Sequence, residues 1–175
     1  MLQLSNTLIN KSVLSLRTGA PIARIKSPII NPDNLKVEGF YVEDRYNKKL
    51  LVLLSQDIRE TINNGYVVND HEVLVEAEDL VRLKKVIEIK FDLINKQVVT
   101  ISKQKVGKVS DYATETTTFF IQKLYVSQSL LKSFTGGNLS VDRTQINELT
   151  NSKVIINDLL AKNRIPSPAT APSGF

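Results

Sequence analysis

The sequence predicts an all-β protein built from two tandem copies of one small β unit. Residues 57–70 (DIRETINNGYVVND) align without a gap with residues 145–158 (QINELTNSKVIIND). Residues 22–25 (IARI) recur as 106–109 (VGKV) at an offset of 84 positions (106 − 22). Residues 40–42 (FYV) recur as 124–126 (LYV) at the same offset (124 − 40). These segments are short, aliphatic and bounded by turn residues, which is typical of strands.

The first copy contains three strand-like segments before a hairpin begins. Residues 20–25 (APIARI) predict a short strand that Pro21 places at a sheet edge. Residues 28–34 (PIINPDN) are rich in turn formers and predict a loop. Two further strands are predicted over residues 35–43, with a bulge or bend at Gly39, and over the apolar run 50–54.

The hairpin and the connector to the second copy follow. Residues 57–70 form a predicted hairpin with its turn at Asn64-Gly65, and a lone hairpin is marginal in water, so it must pack into a larger unit. Residues 77–83 carry apolar side chains at spacings suited to a short helix, which we take as the connector. Residues 86–91 (VIEIKF) and 97–102 (QVVTIS) predict the strands that open the second copy.

Each copy therefore has several short strands and almost no helix, the pattern of a small sandwich or barrel. A closed barrel is favoured because closure removes sheet edges. The predicted domains are a barrel over 13–83, a barrel over 84–162 and a disordered, proline-rich tail over 163–175. A frayed terminus and a docking peptide are both open for the tail. The predicted core residues are Ile22, Ile25, Val42, Leu51, Leu53, Ile58 and Val67 in the first copy and Val106, Val109, Leu124, Val126, Ile146 and Ile155 in the second.

Composition excludes several classes of protein. The chain has no cysteine, which rules out disulfides and thiolate metal sites. We see no signal peptide and no apolar run long enough to span a membrane, so we expect a soluble, cytoplasmic protein. The net charge of +5 is uneven, because residues 1–90 carry +1 (13 − 12) and residues 91–175 carry +4 (10 − 6). A modest excess of this kind assists binding to an anionic partner.

No residue set specifies a reaction. His71 is the one histidine, so a metal site with two histidines would need two subunits to combine, and we expect His71 to be a solvated loop residue. The acidic residues 72, 76, 78 and 79 lack the ligand spacing and the turn glycine of a calcium loop. No nucleophile elbow, P-loop or dinucleotide fingerprint is present. We therefore predict no catalytic residues, no metal, no cofactor and no enzymatic activity.

Two surfaces are candidates for binding. Tyr41 and Tyr125 occupy equivalent places in the copies, where an outward aromatic suits either packing between the two barrels or contact with a partner. Basic residues on or beside strands of the second copy, near Tyr112 and Tyr125, could contact RNA phosphates while the aromatics stack on bases. These basic residues are Lys103, Lys105, Lys108 and Lys123.

The order of these motifs resembles the PRC-barrel family. The features that carry the resemblance are VGKVSD at 106–111, a second strand ending in FYV or LYV, an apolar third strand and the hairpin at 57–70. Copy one departs from the pattern at Ala23, which stands where copy two has Gly107, and at Pro21. The resemblance implies adaptor barrels that dock on proteins, with no shared catalytic residues. We therefore expect a protein-binding adaptor, with an RNA- or ribosome-associated factor as the alternative, while the partner's identity and the oligomeric state stay open.

Overall fold

The computed structural model describes residues 1–127 and 139–158 of the chain. The described residues are mostly β, with one short α-helix and two sheets, so the all-β prediction is confirmed. The predicted tail over 163–175 lies outside the described residues. The strand pairing follows two open paths, and in the described part of the chain no closed barrel is found.

The elements of the first part of the chain are β1 (Leu2–Leu4), β2 (Ser12–Ser15), β3 (Pro21–Asn31), β4 (Lys36–Asp44), β5 (Leu50–Leu54), β6 (Ile58–Ile62), β7 (Gly65–Val68), β8 (Leu74–Val75) and the helix α1 (Lys84–Ile89). The elements that follow are β9 (Gln97–Thr100), β10 (Lys105–Glu115), β11 (Ile121–Ser127), β12 (Leu139–Asp142), β13 (Ile146–Leu149) and β14 (Lys153–Ile156).

The two sheets pair equivalent strands in the same order. One sheet has the order β6-β7-β2-β3-β4-β5-β8, and the other has β13-β14-β9-β10-β11-β12, with β1 paired to β10. In each sheet one pair is parallel, β2 with β7 and β9 with β14, whereas the neighbouring pairs are antiparallel. The return strand of each hairpin therefore lies beside the first strand of its own copy.

A further repeated stretch, here called the LINK stretch, leads into the first strand of each copy. Residues 8–13 read LINKSV and residues 93–98 read LINKQV, an offset of 85 positions (93 − 8). Asn10 and Asn95 both have a left-handed backbone, with φ of 62° and 67°. Asparagine tolerates this conformation better than most residues do. Their N–H groups donate to equivalent carbonyls, those of Ile25 at 3.0 Å and Val109 at 2.8 Å.

Four local predictions are wrong. The strand that begins at Pro21 is not at a sheet edge, because β3 lies between β2 and β4 and Pro21 is opposite Leu14. The predicted strand at 86–91 is instead helix α1, which packs against β3 and ends at Lys90 with φ of 47°. The predicted helix at 77–83 is two 3-10 turns, Ala77–Asp79 and Val81–Leu83. The predicted loop at 28–34 begins as strand, because β3 continues to Asn31. Pro28 is tolerated there because it lies opposite Phe40 without having to donate to the ladder.

Nine of the thirteen predicted core residues are buried. The exceptions are Ile58, Val67, Ile146 and Ile155, which are half-buried. In the return strand of each hairpin, the residues that point inward are Tyr66 and Val68 in one copy and Val154 and Ile156 in the other. The prediction places Val67 and Ile155 inward, which is an error of one residue in the register. Because side chains alternate along a strand, such an error exchanges the inward and outward faces.

The two copies meet through a reciprocal pair of backbone hydrogen bonds. The N–H of Val37 donates to the carbonyl of Phe119 at 2.9 Å, and the N–H of Ile121 donates to the carbonyl of Leu35 at 2.8 Å. These positions are equivalent, since 119 − 35 and 121 − 37 both equal 84. Exchanging the copies therefore maps one bond onto the other, as a two-fold axis does in an isologous interface. The isolated bridge between Lys36 and Phe120 lies between these bonds.

The prediction of one core in each copy is wrong, because the buried side chains of the two copies form one contiguous cluster. The Phe119 ring of the second copy has its centroid 6.0 Å from that of Phe40 and 6.1 Å from that of Tyr66, both in the first. The Phe40 and Tyr66 rings stack at 5.2 Å. Aromatic pairs in this range contribute beyond their buried area, so this trio joins the halves.

The β10–β11 turn next to this junction depends on an ionised carboxylate. The N–H groups of Thr118, at 2.6 Å, and Thr117, at 3.0 Å, donate to Glu115 and lower its pKa from 4.5 to about 2, despite the opposing effect of burial. A folded-state pKa below the unfolded value stabilises the fold above the unfolded pKa, and that stabilisation is lost as pH falls towards the folded pKa.

We expect Glu115→Gln to lower the free energy of unfolding at pH 7, and the difference from wild type to shrink as pH falls from 4.5 towards 2. The reason is that wild-type Glu115 then becomes a neutral acid itself. Urea unfolding at several pH values measures this difference. The equivalent position holds the neutral Asn31, whose side-chain oxygen accepts the N–H of Asp33 at 3.0 Å, so a neutral acceptor is compatible with the turn. A difference that does not change with pH would contradict the assignment.

Candidate functional site

A cleft of about 580 Å³ opens between the two copies. Its lining contains residues from equivalent positions of both copies, so it lies on the same approximate two-fold axis as the reciprocal hydrogen bonds. The equivalent pairs in the lining include Asn6 with Phe91, Ile9 with Ile94 and Pro28 with Tyr112. Clefts where two structural units meet are common binding sites, and this volume is in the range that such sites have.

The walls of the cleft are mainly apolar. Ile29 and Ile30 of β3 are buried, and α1 adds Val86 and Ile87, which are half-buried. Lys90 adopts a left-handed conformation that ends the helix, and the next residue, Phe91, is buried. The apolar walls of the cleft therefore belong to a strand and a helix.

The rim of the cleft keeps large apolar side chains in contact with solvent. Leu50, at the start of β5, is 59% exposed, and Ile9 is 38% exposed. Tyr41 of β4 is half-buried beside them. Isolated apolar residues on a surface need no explanation, but apolar residues grouped around an apolar cleft mark an interaction site.

The polar groups at the other end of the cleft are partly engaged within the chain. The Asp92 carboxylate accepts the N–H of Ile94 at 3.0 Å. Burial raises the pKa of Tyr112, and the nearby carboxylates of Asp92 and Asp111 raise it further, so its phenol stays protonated. Lys90 supplies a positive charge close to the negative charge of Asp92. The cleft offers a mainly apolar surface with both signs of charge in its lining.

His71 lies outside this cleft in a 3-10 turn, His71–Val73, where its side chain is 40% exposed and also contacts a buried carboxylate. Its Nε2 is 2.8 Å from the carboxylate of the fully buried Asp44, and the Tyr46 ring packs on the imidazole with centroids 5.5 Å apart. Burial alone would raise the pKa of Asp44, but the Tyr46 N–H at 2.8 Å and the His71 ring more than offset it and lower that pKa. The pair holds the β4–β5 turn.

The structure does not bring the predicted surface residues together. Tyr41 lines the cleft, whereas Tyr125 is half-buried on β11, opposite Asp111 of β10, and does not line it. Lys123 forms an ion pair with Asp142 at 3.7 Å. The other predicted basic residues are exposed on or beside the β9–β10 hairpin, away from the cleft lining: Lys103, Lys105 and Lys108.

The acidic residues after the first hairpin, at 72, 76, 78 and 79, do not form a metal site. Glu76 forms an ion pair with Lys49 at 3.2 Å. Over residues 1–127 and 139–158, no group of three or more His, Asp or Glu side chains is placed to hold a metal ion.

Sequence reasoning missed Ile9, Leu50 and Ile94 as site residues. The signal that could have found two of them is the LINK stretch, because Ile9 and Ile94 are its second residue in each copy. A repeated apolar residue next to a left-handed asparagine is held in a fixed direction. Leu50 carries no comparable signal, since it opens an apolar strand like any other.

Comparison with known proteins adds no name to this site. No family model matches the sequence, and no curated protein matches it. In the part of the chain that the structure describes, no helix is long and apolar enough to cross a membrane.

Proposed function

We propose that this protein is a non-enzymatic adaptor made of two PRC-like units, and that it binds a protein partner through the cleft between them. The observation that carries the proposal is the apolar rim, where Ile9, Tyr41 and Leu50 surround an apolar cleft on the two-fold axis. Binding energy at protein interfaces concentrates where a few apolar or aromatic anchors enter such a pocket.

The electrostatics of the cleft favour a protein over a highly charged partner. Lys90 and Asp92 place opposite charges in its lining. Beside Tyr41, Lys26 and Glu43 form an ion pair at 2.8 Å, which cancels the charge on that side. A mixed rim around an apolar centre is the usual anatomy of a protein interface.

The arrangement of strands supports the PRC-like assignment. In each unit the return strand of the hairpin comes back to pair in parallel with the first strand, as Ser12 does with Gly65 and Gln97 with Lys153. This connection brings the two ends of each unit's strand sequence together, as a sheet that rolls towards a barrel requires.

The test is site-specific photo-cross-linking from the rim. A photoreactive phenylalanine analogue at Tyr41 is expected to cross-link a defined protein in native lysate, and Leu50→Glu is expected to reduce that product about tenfold because it puts a charge on the apolar rim. Ile101→Glu is the matched control, since Ile101 is 52% exposed but does not line the cleft. Equal loss with both variants, or no product from folded protein, would contradict the proposal.

A second candidate is an RNA- or ribosome-associated factor, supported by the exposed lysines at 103, 105 and 108 on one hairpin. Phosphate contacts weaken steeply as salt rises. Cosedimentation with ribosomal particles that is lost between low and moderate salt, and lost in a variant with all three lysines changed to glutamine, would favour it. Salt-insensitive capture through Tyr41 would favour the adaptor.

A further inference from the structure

The two copies differ at one pair of equivalent sheet edges. The distal part of β10 carries β1 as an antiparallel edge strand, with Leu2 opposite Glu115 and Leu4 opposite Ala113. The equivalent part of β3, Ile29–Asn31, pairs with β4 on one side. On its other side no strand is paired with it in the described residues.

The segment that could have filled that edge is α1. Residues 86–89 (VIEI) occupy the position equivalent to residues 1–4 (MLQL), at the offset of 85 found for the LINK stretch (86 − 1). Both segments have two apolar residues, a polar residue and another apolar residue. One is the strand β1 and the other lies in helix α1, so the pattern alone does not decide the conformation.

The backbone N–H donors of the two edges explain why one segment is a strand and the other is a helix. The N–H of Thr116 donates to the carbonyl of Met1 at 2.9 Å, and bonds on one side of an antiparallel strand come from alternate residues. The N–H groups of residues 112, 114 and 116 therefore face β1. Their equivalents in the first copy are residues 28, 30 and 32, and two of these, Pro28 and Pro32, have no N–H. Prolines at such positions block strand addition, so only the β10 edge can accept a strand.

The strand on the β10 edge is held mainly through its backbone and by two carboxylates of that edge. The Glu115 carboxylate accepts from the terminal ammonium of Met1 at 3.3 Å. Leu2 and Leu4 are 44% and 39% exposed, so their side chains contribute little burial. The Asp111 carboxylate accepts the backbone N–H of Ser5 at 3.0 Å and also its hydroxyl. A three-residue strand held in this way opens at low cost compared with the core.

We propose that the distal edge of β10, residues 111–116, is a strand-acceptor site for an extended segment of a partner protein, and that β1 fills it in the free chain. The segment has an apolar–polar–apolar triplet followed by serine or threonine. Backbone bonds to Thr114 and Thr116 give the affinity, and Asp111 selects the hydroxyl residue, as in other cases of strand addition. This site shares Ser5 and Tyr112 with the lining of the cleft, but it is filled through the backbone edge of β10 and does not depend on the occupant of the cleft.

The test uses the full-length chain with Gln3→Pro, which removes the N–H that faces Thr114 and so empties the edge. A fluorescent peptide of residues 1–7 (MLQLSNT) is expected to bind this variant saturably. We expect it to bind wild type about tenfold more weakly, because β1 occupies the edge there. Adding Thr116→Pro, which copies Pro32 of the other half, is expected to abolish binding, as is proline at the third position of the peptide. A folded Gln3→Pro variant that does not bind, or binding that Thr116→Pro leaves unchanged, would overturn the proposal.

If Gln3→Pro does not fold, Ser5→Ala in the full chain tests the same site by amide hydrogen exchange. Loss of the Ser5 hydroxyl contact is expected to speed exchange at Thr114 and Thr116, and the peptide is expected to restore their protection. Exchange at these two amides that neither the variant nor the peptide alters would overturn the proposal equally.

Discussion

Gly107→Ala is expected to lower the free energy of unfolding by more than about 2 kcal/mol, because it forces backbone atoms apart in the middle of a sheet. A Cβ at this position would lie 2.0 Å from the carbonyl oxygen of Ser127 and 2.9 Å from its carbonyl carbon. Both atoms belong to the backbone of β11, so no side-chain rotation relieves the clash. The strands β10 and β11 must separate, and the ladder between them weakens. Urea unfolding measures the loss.

The chain supplies the control for this prediction. Ala23 is the equivalent residue of β3, where a Cβ already fits and is buried. Ala23→Gly is expected to cost only about 1 kcal/mol, from backbone freedom in the unfolded chain. A Gly107→Ala variant as stable as wild type, or less affected than Ala23→Gly, would show that the two strands are not as close as the structure places them.

Phe119→Ala is expected to cost about 3–5 kcal/mol, the range for removing a buried aromatic side chain. The ring is buried and contacts Phe40 and Tyr66 of the other copy, so the cavity would open where the halves join. Alanine adopts the φ of 61° at this position no more easily than phenylalanine does, so the backbone strain stays constant. Thermal and urea unfolding measure the change.

The neighbouring Phe120 is the matched control. It is half-buried, and the guanidinium of Arg143 lies over its ring at 4.6 Å. Phe120→Ala is expected to cost about 1–2 kcal/mol, since it loses this contact and only part of its burial. If the two variants lost the same small amount, Phe119 would not join the cores.

The strands of this fold were predictable where each copy carries its own periodicity. The hairpin at 57–70 and its repeat at 145–158 follow from apolar runs bounded by turn residues. The first turn is at Asn63-Asn64, one residue before the predicted Asn64-Gly65, because Gly65 already pairs with Ile62. The residue that faces inward was not predictable there, because 66–68 (YVV) is apolar throughout and the register depends on the opposite strand.

Helix α1 shows why the local conformational preference of its residues could not predict the conformation of the connector. Residues 86–91 (VIEIKF) favour a strand by composition. In the structure, the nearest edge is that of β3, where Pro28 and Pro32 remove the donors that a new strand needs. The deciding residues are more than fifty positions away in the chain, so no window around the segment contains them.

Only some of the residues that line the cleft could be predicted from the sequence. Tyr41 was a candidate from its equivalent position in the repeat, and it lines the cleft. The basic residues were candidates from charge alone, and charge does not say which strand face a lysine occupies. Ile9 and Leu50 both line the cleft but lie about forty positions apart in the chain, so no local pattern shows that they belong to one surface.

The most direct test of the account is native-state hydrogen exchange at the amides of Val37 and Ile121. If the copies pack around a two-fold axis, both amides are bonded across the junction, at 2.9 and 2.8 Å, and both should exchange slowly and at similar rates. Their protection should fall together in Phe119→Ala. Rapid exchange at either amide in the wild-type protein, while the amides within β3 and β10 stay protected, would show that the two copies do not join in this way.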